Sequence, residues 1–157
     1  MVSGSGATDG TVNGRGNIII GYNEDIFPFL GGSLPASKIT GSHNLIVGKG
    51  ANNSSFDAIV AGLDNVSDAE YASISGGNRN QATGNFSSIS GGQRNEASGP
   101  RSSIIGIENN LASVEYSSVS DGSNYAAAGL RSTVGGGFGR SVVGEFDWRA
   151  GSLFETQ

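Results

Sequence analysis

Residues 73–117 read as three lines of fifteen: SISGGNRNQATGNFS (73–87), SISGGQRNEASGPRS (88–102) and SIIGIENNLASVEYS (103–117). The frame extends in both directions without a gap, with rows beginning at Ala58, Ser73, Ser88, Ser103, Ser118, Thr133 and Trp148. Two earlier half-rows, Asn17-Ile18-Ile19-Ile20-Gly21 and Asn44-Leu45-Ile46-Val47-Gly48, fit the same pattern. Self-similarity at a fixed short period marks an architecture of stacked units, none of which buries its apolar face alone.

The columns of this alignment carry the physics. Column two is Ile59, Ile74, Ile89, Ile104, Val119 and Val134, a β-branched residue between small neighbours, as a short inward-facing strand requires. Column ten is Ser67, Ala82, Ala97, Ala112, Ala127 and Val142, a second inward position limited to small side chains. Glycine fills most of columns four and five, and column twelve holds Gly84, Gly99, Gly129 and Gly144; these are expected corners, where a positive φ would strain any residue with a Cβ. Each row is therefore strand, corner, strand, corner. That is one coil of an all-β parallel solenoid with about fifteen residues per coil, and nine strand starts at roughly 4.8 Å per coil predict a rod of about 40–45 Å.

Column eight, Asn65, Asn80, Asn95 and Asn110, has the pattern of an asparagine ladder along a turn. Column fourteen holds Tyr71, Phe86, Tyr116 and Phe146, interrupted by Arg101 and Arg131. One β-branched residue and one alanine per coil bury little apolar area. At about 25 cal/mol per Å², that hardly offsets the entropy of ordering fifteen residues. A second buried surface would resolve the shortfall, and the column-fourteen aromatics are its expected site between copies of the chain.

Composition narrows the function. Among 157 residues there are 27 glycines and no cysteine, and the net charge is −5. So much glycine excludes an ordinary helical domain. The acidic balance argues against nucleic acid as a partner, and no apolar run is long enough to insert in a membrane. Met1-Val2-Ser3-Gly4 does not open a signal peptide. An export signal and anchor, if present in the natural protein, are expected outside this chain.

No enzyme is expected. His43, the sole histidine, follows Gly41-Ser42 in a turn-like setting. The carboxylates Asp64, Asp68 and Glu70, and the pair Glu145 and Asp147, read as corner residues rather than an acid–base pair. Gly48-Lys49-Gly50 lacks the spacing of a phosphate loop, and no cofactor or metal site is expected.

The motif SSISGGxxNxAxG, seen in 87–99 and its neighbours, resembles the head repeats of trimeric autotransporter adhesins and, more closely, bacterial proteins built from SSVSGGxxNTASG repeats. Segments like GRGNIIIGYNE and GSHNLIVGKGANNSSF introduce those repeats, and an ending like FDWRAGSLFETQ closes them. The resemblance covers residues 9–157. It implies a left-handed parallel β-roll assembled as a homotrimer, at the cell surface or outside the cell. Here the period is fifteen where the adhesin pattern has fourteen.

The organisation expected is a lead-in segment 1–16 and a roll over 17–157. The roll comprises an irregular insert 22–43, regular repeats 58–147 and a cap 148–157 containing Trp148, Leu153 and Phe154. Function follows as an expectation: a non-enzymatic structural or adhesive head displaying weak contacts many times over. Its contact surface is expected at Ser75, Ser90, Ser120, Arg79 and Arg94. The expected partners are further copies of the chain, as a homotrimer or an end-to-end filament, and a host or matrix glycan or protein. The alternatives are an ice-binding solenoid using the Ser-x-Ser rows and a phage or extracellular filament spacer.

Overall fold

In the computed structural model, residue 4, residues 6–24 and residues 37–151 are described. They contain strands, bridges and turns and no helix. Two parallel sheets run the length of the rod. The first stacks β1 (Ile18–Ile20), β2 (Leu45–Lys49), β4 (Ile59–Leu63), β6 (Ser73–Ile74), β8 (Ser88–Ile89), β10 (Ser103–Ile105), β12 (Ser118–Ser120), β14 (Thr133–Gly135) and β16 (Trp148–Ala150) in that order. The second stacks β3 (Asn52–Asn53), β5 (Val66–Ser67), β7 (Gln81–Ala82), β9 (Glu96–Ala97), β11 (Leu111–Ala112), β13 (Ala126–Ala127) and β15 (Ser141–Val142). A third side is a row of single bridges, from Leu63↔Asn78 through Gln93, Glu108 and Ser123 to Phe138. The chain is an all-β solenoid, as the columns require.

The core is two files wide. Ile46, Val60, Ile74, Ile89, Ile104, Val119 and Val134 fill one file from the first sheet, and Ala82, Ala97, Ala112, Ala127 and Val142 fill the other from the second. Ile19 occupies the same inward position on β1, yet it is 46% exposed at the end of the stack.

Ile59 is a correction. The gapless alignment puts it in the core file, but it pairs with Ser73 and is 48% exposed, while Val60 pairs with Ile74 and is fully buried. The reason is that two coil lengths coexist. Ile46 pairs with Val60 and Val60 with Ile74, fourteen residues apart, whereas Ile74, Ile89, Ile104 and Val119 are spaced by fifteen. A one-residue slip exchanges the inward and outward faces of a strand. The added residue is Gly76, because the Gly62 corner is overlaid by Gly77, whose carbonyl accepts the Leu63 N–H at 2.9 Å. A Cβ on Gly76 would meet nothing within 4 Å, so the extra residue projects outward.

Column twelve also needs a different explanation. Gly84, Gly99, Gly129 and Gly144 do not have positive φ. Gly84, Gly99 and Gly129 are glycine because successive coils touch there: a Cβ on Gly84 would stand 2.2 Å from the Gly99 carbonyl oxygen, and one on Gly99 2.2 Å from that of Val114, while one on Gly144 would meet the Asp147 carboxylate at 2.4 Å. Left-handed positions include column five, where Gly62, Gly77 and Gly92 have φ of 103°, 83° and 83°, and two columns made up mostly of residues other than glycine. Those are column seven (Asp64, Arg79, Arg94, Asn109, Asn124) and column fourteen (Tyr71, Phe86, Arg101, Tyr116, Arg131, Phe146).

Candidate functional site: an exposed ridge and its supports

The column-eight asparagines are buried to within 1% of full burial and bond along the rod. Most rungs run from amide to backbone: Asn80 N–H donates to Asn65 Oδ1 at 2.8 Å, Asn95 N–H to Asn80 Oδ1 at 3.0 Å, and Asn110 N–H to Asn95 Oδ1 at 3.0 Å. One amide-to-amide rung is added where Asn110 Nδ2 donates to Asn95 Oδ1 at 3.0 Å. The Asn80 Nδ2 donates to the Gly76 and Gly92 carbonyls at 3.2 and 3.0 Å, joining one corner to the next coil. Buried amides of this kind need every donor and acceptor met, and here their own corner and the neighbouring coil together meet them.

The ladder ends at Tyr125, whose N–H donates to Asn110 Oδ1 at 3.0 Å. Tyr125 is 1% exposed, and its hydroxyl has no hydrogen-bond partner. Burial raises its phenol above the ordinary value near 10; Asp121 adds to the rise and Arg140 opposes it.

A second, shorter ladder escaped the sequence reading. Asn44 N–H donates to Asn17 Oδ1 at 2.9 Å, and Ala58 N–H to Asn44 Oδ1 at 2.8 Å. The available signal was an asparagine preceding the strand in both NIIIG and NLIVG. Further along the rod the same column becomes the buried serines Ser87, Ser102, Ser117 and Ser132.

Column fourteen forms an exposed surface feature along the rod. Its left-handed backbone throws each side chain off the turn, leaving Tyr71, Phe86, Tyr116 and Phe146 between 40% and 66% exposed. They form a continuous ridge. Phe56 meets Tyr71 edge-on at 5.3 Å, and Tyr71 stacks on Phe86 at 4.9 Å and 11°. Beyond that, cations alternate with rings: the Arg101 guanidinium lies 5.5 Å from the Phe86 centroid and 5.4 Å from that of Tyr116. Arg131 lies 5.5 Å from Tyr116 and 5.4 Å from Phe146. Arg101 and Arg131 also pair with Glu115 and Glu145 at 2.9 and 3.6 Å. Each exposed cation–π contact contributes about 0.5–1 kcal/mol.

The other residues singled out by sequence lie elsewhere. Ser75, Ser90 and Ser120 are exposed on the outer face of the first sheet, with Ile105 interrupting the file. Arg79 and Arg94 sit on the column-seven corner, and the Arg79 guanidinium holds Asp64 at 3.3 Å. Burial raises the Asp64 carboxyl above its ordinary value, with Arg79 opposing the shift. The remaining carboxylates have separate partners: Asp68 accepts from Ser54 Oγ at 2.8 Å, Glu70 from Asn85 Nδ2 at 3.4 Å, and Asp147 from Gly144 N–H at 3.1 Å. No group of three metal-ligating side chains occurs among the described residues. Trp148 opens β16 opposite Thr133 with its side chain 65% exposed, and the cap residues Leu153 and Phe154 lie outside the described residues.

No family model matches the chain, and no curated protein or solved structure matches it either.

Proposed function

We propose that this chain is a non-enzymatic structural and adhesive module, a rigid rod exposed at a bacterial surface or in an extracellular fibre and assembled as a homotrimer. The ridge is the observation that carries the reading. Six successive coils place Tyr, Phe or Arg at φ between 54° and 61°, a conformation that glycine adopts without cost. A non-glycine residue there is disfavoured by about 1–2 kcal/mol. Large side chains kept at such positions, exposed and aligned, support a surface that is completed by other copies of the chain. Three rods packed along their ridges would cover the aromatics that one rod leaves in water, and would present three identical sets of outer faces for multivalent contact.

Light scattering coupled to size exclusion tests the assembly. The expected mass is three times 15.9 kDa, about 48 kDa, with Tyr116→Ser and Phe86→Ser shifting it toward a single chain. A single-chain mass for the unaltered protein overturns the trimer.

One observation favours a second reading. Ser73, Ser88, Ser103, Ser118 and Thr133 pair in register, which gives the first sheet a straight file of hydroxyls at coil spacing. An ice-binding face would use this file together with Ser75, Ser90 and Ser120. Thermal hysteresis from a single-chain species would select it over the adhesive trimer.

A further inference from the structure

The outer face of the second sheet carries a concave feature at its N-terminal end. Columns nine and eleven point outward on either side of an inward column, so their side chains form the walls of a trough. In the first coils these walls are Lys38, Asn52 and Val66 on one side and Thr40, Ser54 and Asp68 on the other, lining an open depression of about 270 Å³. The Ile39↔Asn53 bridge and the pairs Asn52↔Val66 and Asn53↔Ser67 hold the three levels in register. The floor is rigid: Asn53 is 1% exposed and donates through Nδ2 to the Ser67 carbonyl at 3.1 Å. The walls are braced too, since Asn52 Oδ1 accepts the Lys38 backbone N–H at 2.9 Å and Asp68 accepts from Ser54 Oγ.

The chemistry in this trough is mixed in a specific way. Among the described residues, the Lys38 ammonium forms no ion pair. Asp68, with one oxygen engaged by Ser54, the Thr40 hydroxyl and the Asn52 amide offer acceptors and donors for hydroxyl groups, and Val66 supplies a small apolar wall. Further along the rod the same two columns read Gln81 and Thr83, Glu96 and Ser98, Leu111 and Ser113, Ala126 and Ala128, then Ser141 and Val143. None of these pairs carries a cation, so the combination of Lys38 with Asp68 is local to this end. The volume suits one sugar ring rather than a larger ligand. The chain's net charge of −5 works against a densely anionic polymer, whereas a lone carboxylate at Lys38 is attracted at short range.

We propose that the trough formed by Lys38, Thr40, Asn52, Ser54, Val66 and Asp68 binds a single uronate unit of an otherwise neutral saccharide, with the sugar carboxylate on Lys38 and ring hydroxyls on Asp68, Thr40 and Asn52. This deepens the adhesive reading by naming a ligand class. It is independent of the trimer, because one chain builds the whole trough.

The test titrates the ¹⁵N-labelled full chain with methyl β-glucuronide and, separately, with methyl β-glucoside. Glucuronide is expected to shift the Asn52, Ser54 and Asp68 amides with a dissociation constant in the millimolar range, about −4 kcal/mol. Lys38→Met should weaken glucuronide about tenfold and leave the weaker glucoside response unchanged, as expected for loss of one charge-assisted contact. Asp68→Asn should weaken both. Both positions are exposed, and the spectrum itself reports whether each variant is folded. Three results overturn the proposal: no trough shifts with either glycoside, shifts that neither substitution alters, or a glucoside response equal to that of glucuronide. None of them bears on the mass measurement, so failure of this site and failure of the trimer are distinguishable.

Discussion

Replacing Tyr125 by Phe should make the protein more stable. The ring packs beneath the Gly122 corner, where a Cβ would stand 2.4 Å from Cε2, and its hydroxyl lies 3.1 Å from the Cβ position of Gly137. Phe keeps that ring and removes only the hydroxyl, which is buried without a partner. Burying an unpaired hydroxyl costs about 1–3 kcal/mol by protein mutational measures. A gain of about 1–2 kcal/mol is therefore expected at pH 7. For a chain of 157 residues that corresponds to a rise in Tm of about 2–8 °C.

The pH dependence supplies a second arm. Burial raises the phenol pKa in the folded state. Below pH 10 both folded and unfolded forms hold the proton, and the native stability is fully present. Above the ordinary value the unfolded chain ionises first, so stability falls as pH rises through the window up to the raised folded value. The Phe variant lacks this loss, and its advantage should widen above pH 10. Urea unfolding followed by circular dichroism, at matched protein concentration, measures both arms. A variant less stable than the parent at pH 7, or an advantage unchanged between pH 9 and pH 11, would refute the reasoning.

Three further substitutions test the coil geometry. Val60→Ser should destabilise by about 2–4 kcal/mol, whereas Ile59→Ser should change stability by no more than about 0.5 kcal/mol; reversal of the two would restore the gapless register. Gly84→Ala forces a Cβ onto the Gly99 carbonyl and should cost about 3 kcal/mol or prevent folding, while Gly76→Ala should be tolerated, both read from thermal melts. Asn95→Ala strips the acceptor from the buried Asn110 N–H and should lower the urea midpoint by the equivalent of about 2–3 kcal/mol. An exposed control, Gln81→Ala, should leave that midpoint nearly unmoved.

The strands were legible because an inward file recurs by whole coils: Ile74, Ile89, Ile104, Val119 and Val134 need no structure to be placed. Ile59 was misplaced because AIVAG offers two adjacent β-branched residues, and only the corner length decides which faces in. The glycine columns were legible as corners, but their causes were not. Column twelve reflects contact between coils, which a sequence does not display, while the left-handed turn falls on Tyr71, Phe86 and Arg101, residues that ordinarily avoid it. The ladder was readable as a column of amides. That each amide bonds the backbone of the next coil, and that Tyr125 ends the series, depends on side-chain reach. The trough at Lys38 was not legible at all, because Lys38, Asn52 and Asp68 come from three successive coils and share no motif.

The change from fourteen to fifteen residues at Gly76 has a consequence for how such a rod can be altered. Strand pairing on both sides of that corner is unaffected by the added residue, since Val60 still meets Ile74 and Ser67 still meets Ala82. The first coils fold without it, and later coils carry it as Gly76, Gly91, Gly106, Asp121 or Gly136. Length is thus a free variable at this one corner and a fixed one along the strands. An epitope, tag or ligand-binding loop inserted after Gly76 or Gly91 would extend into solvent while the core file stays in step. Insertions at successive coils would be displayed at the regular interval of the stack, which makes the rod a molecular ruler for arranging them.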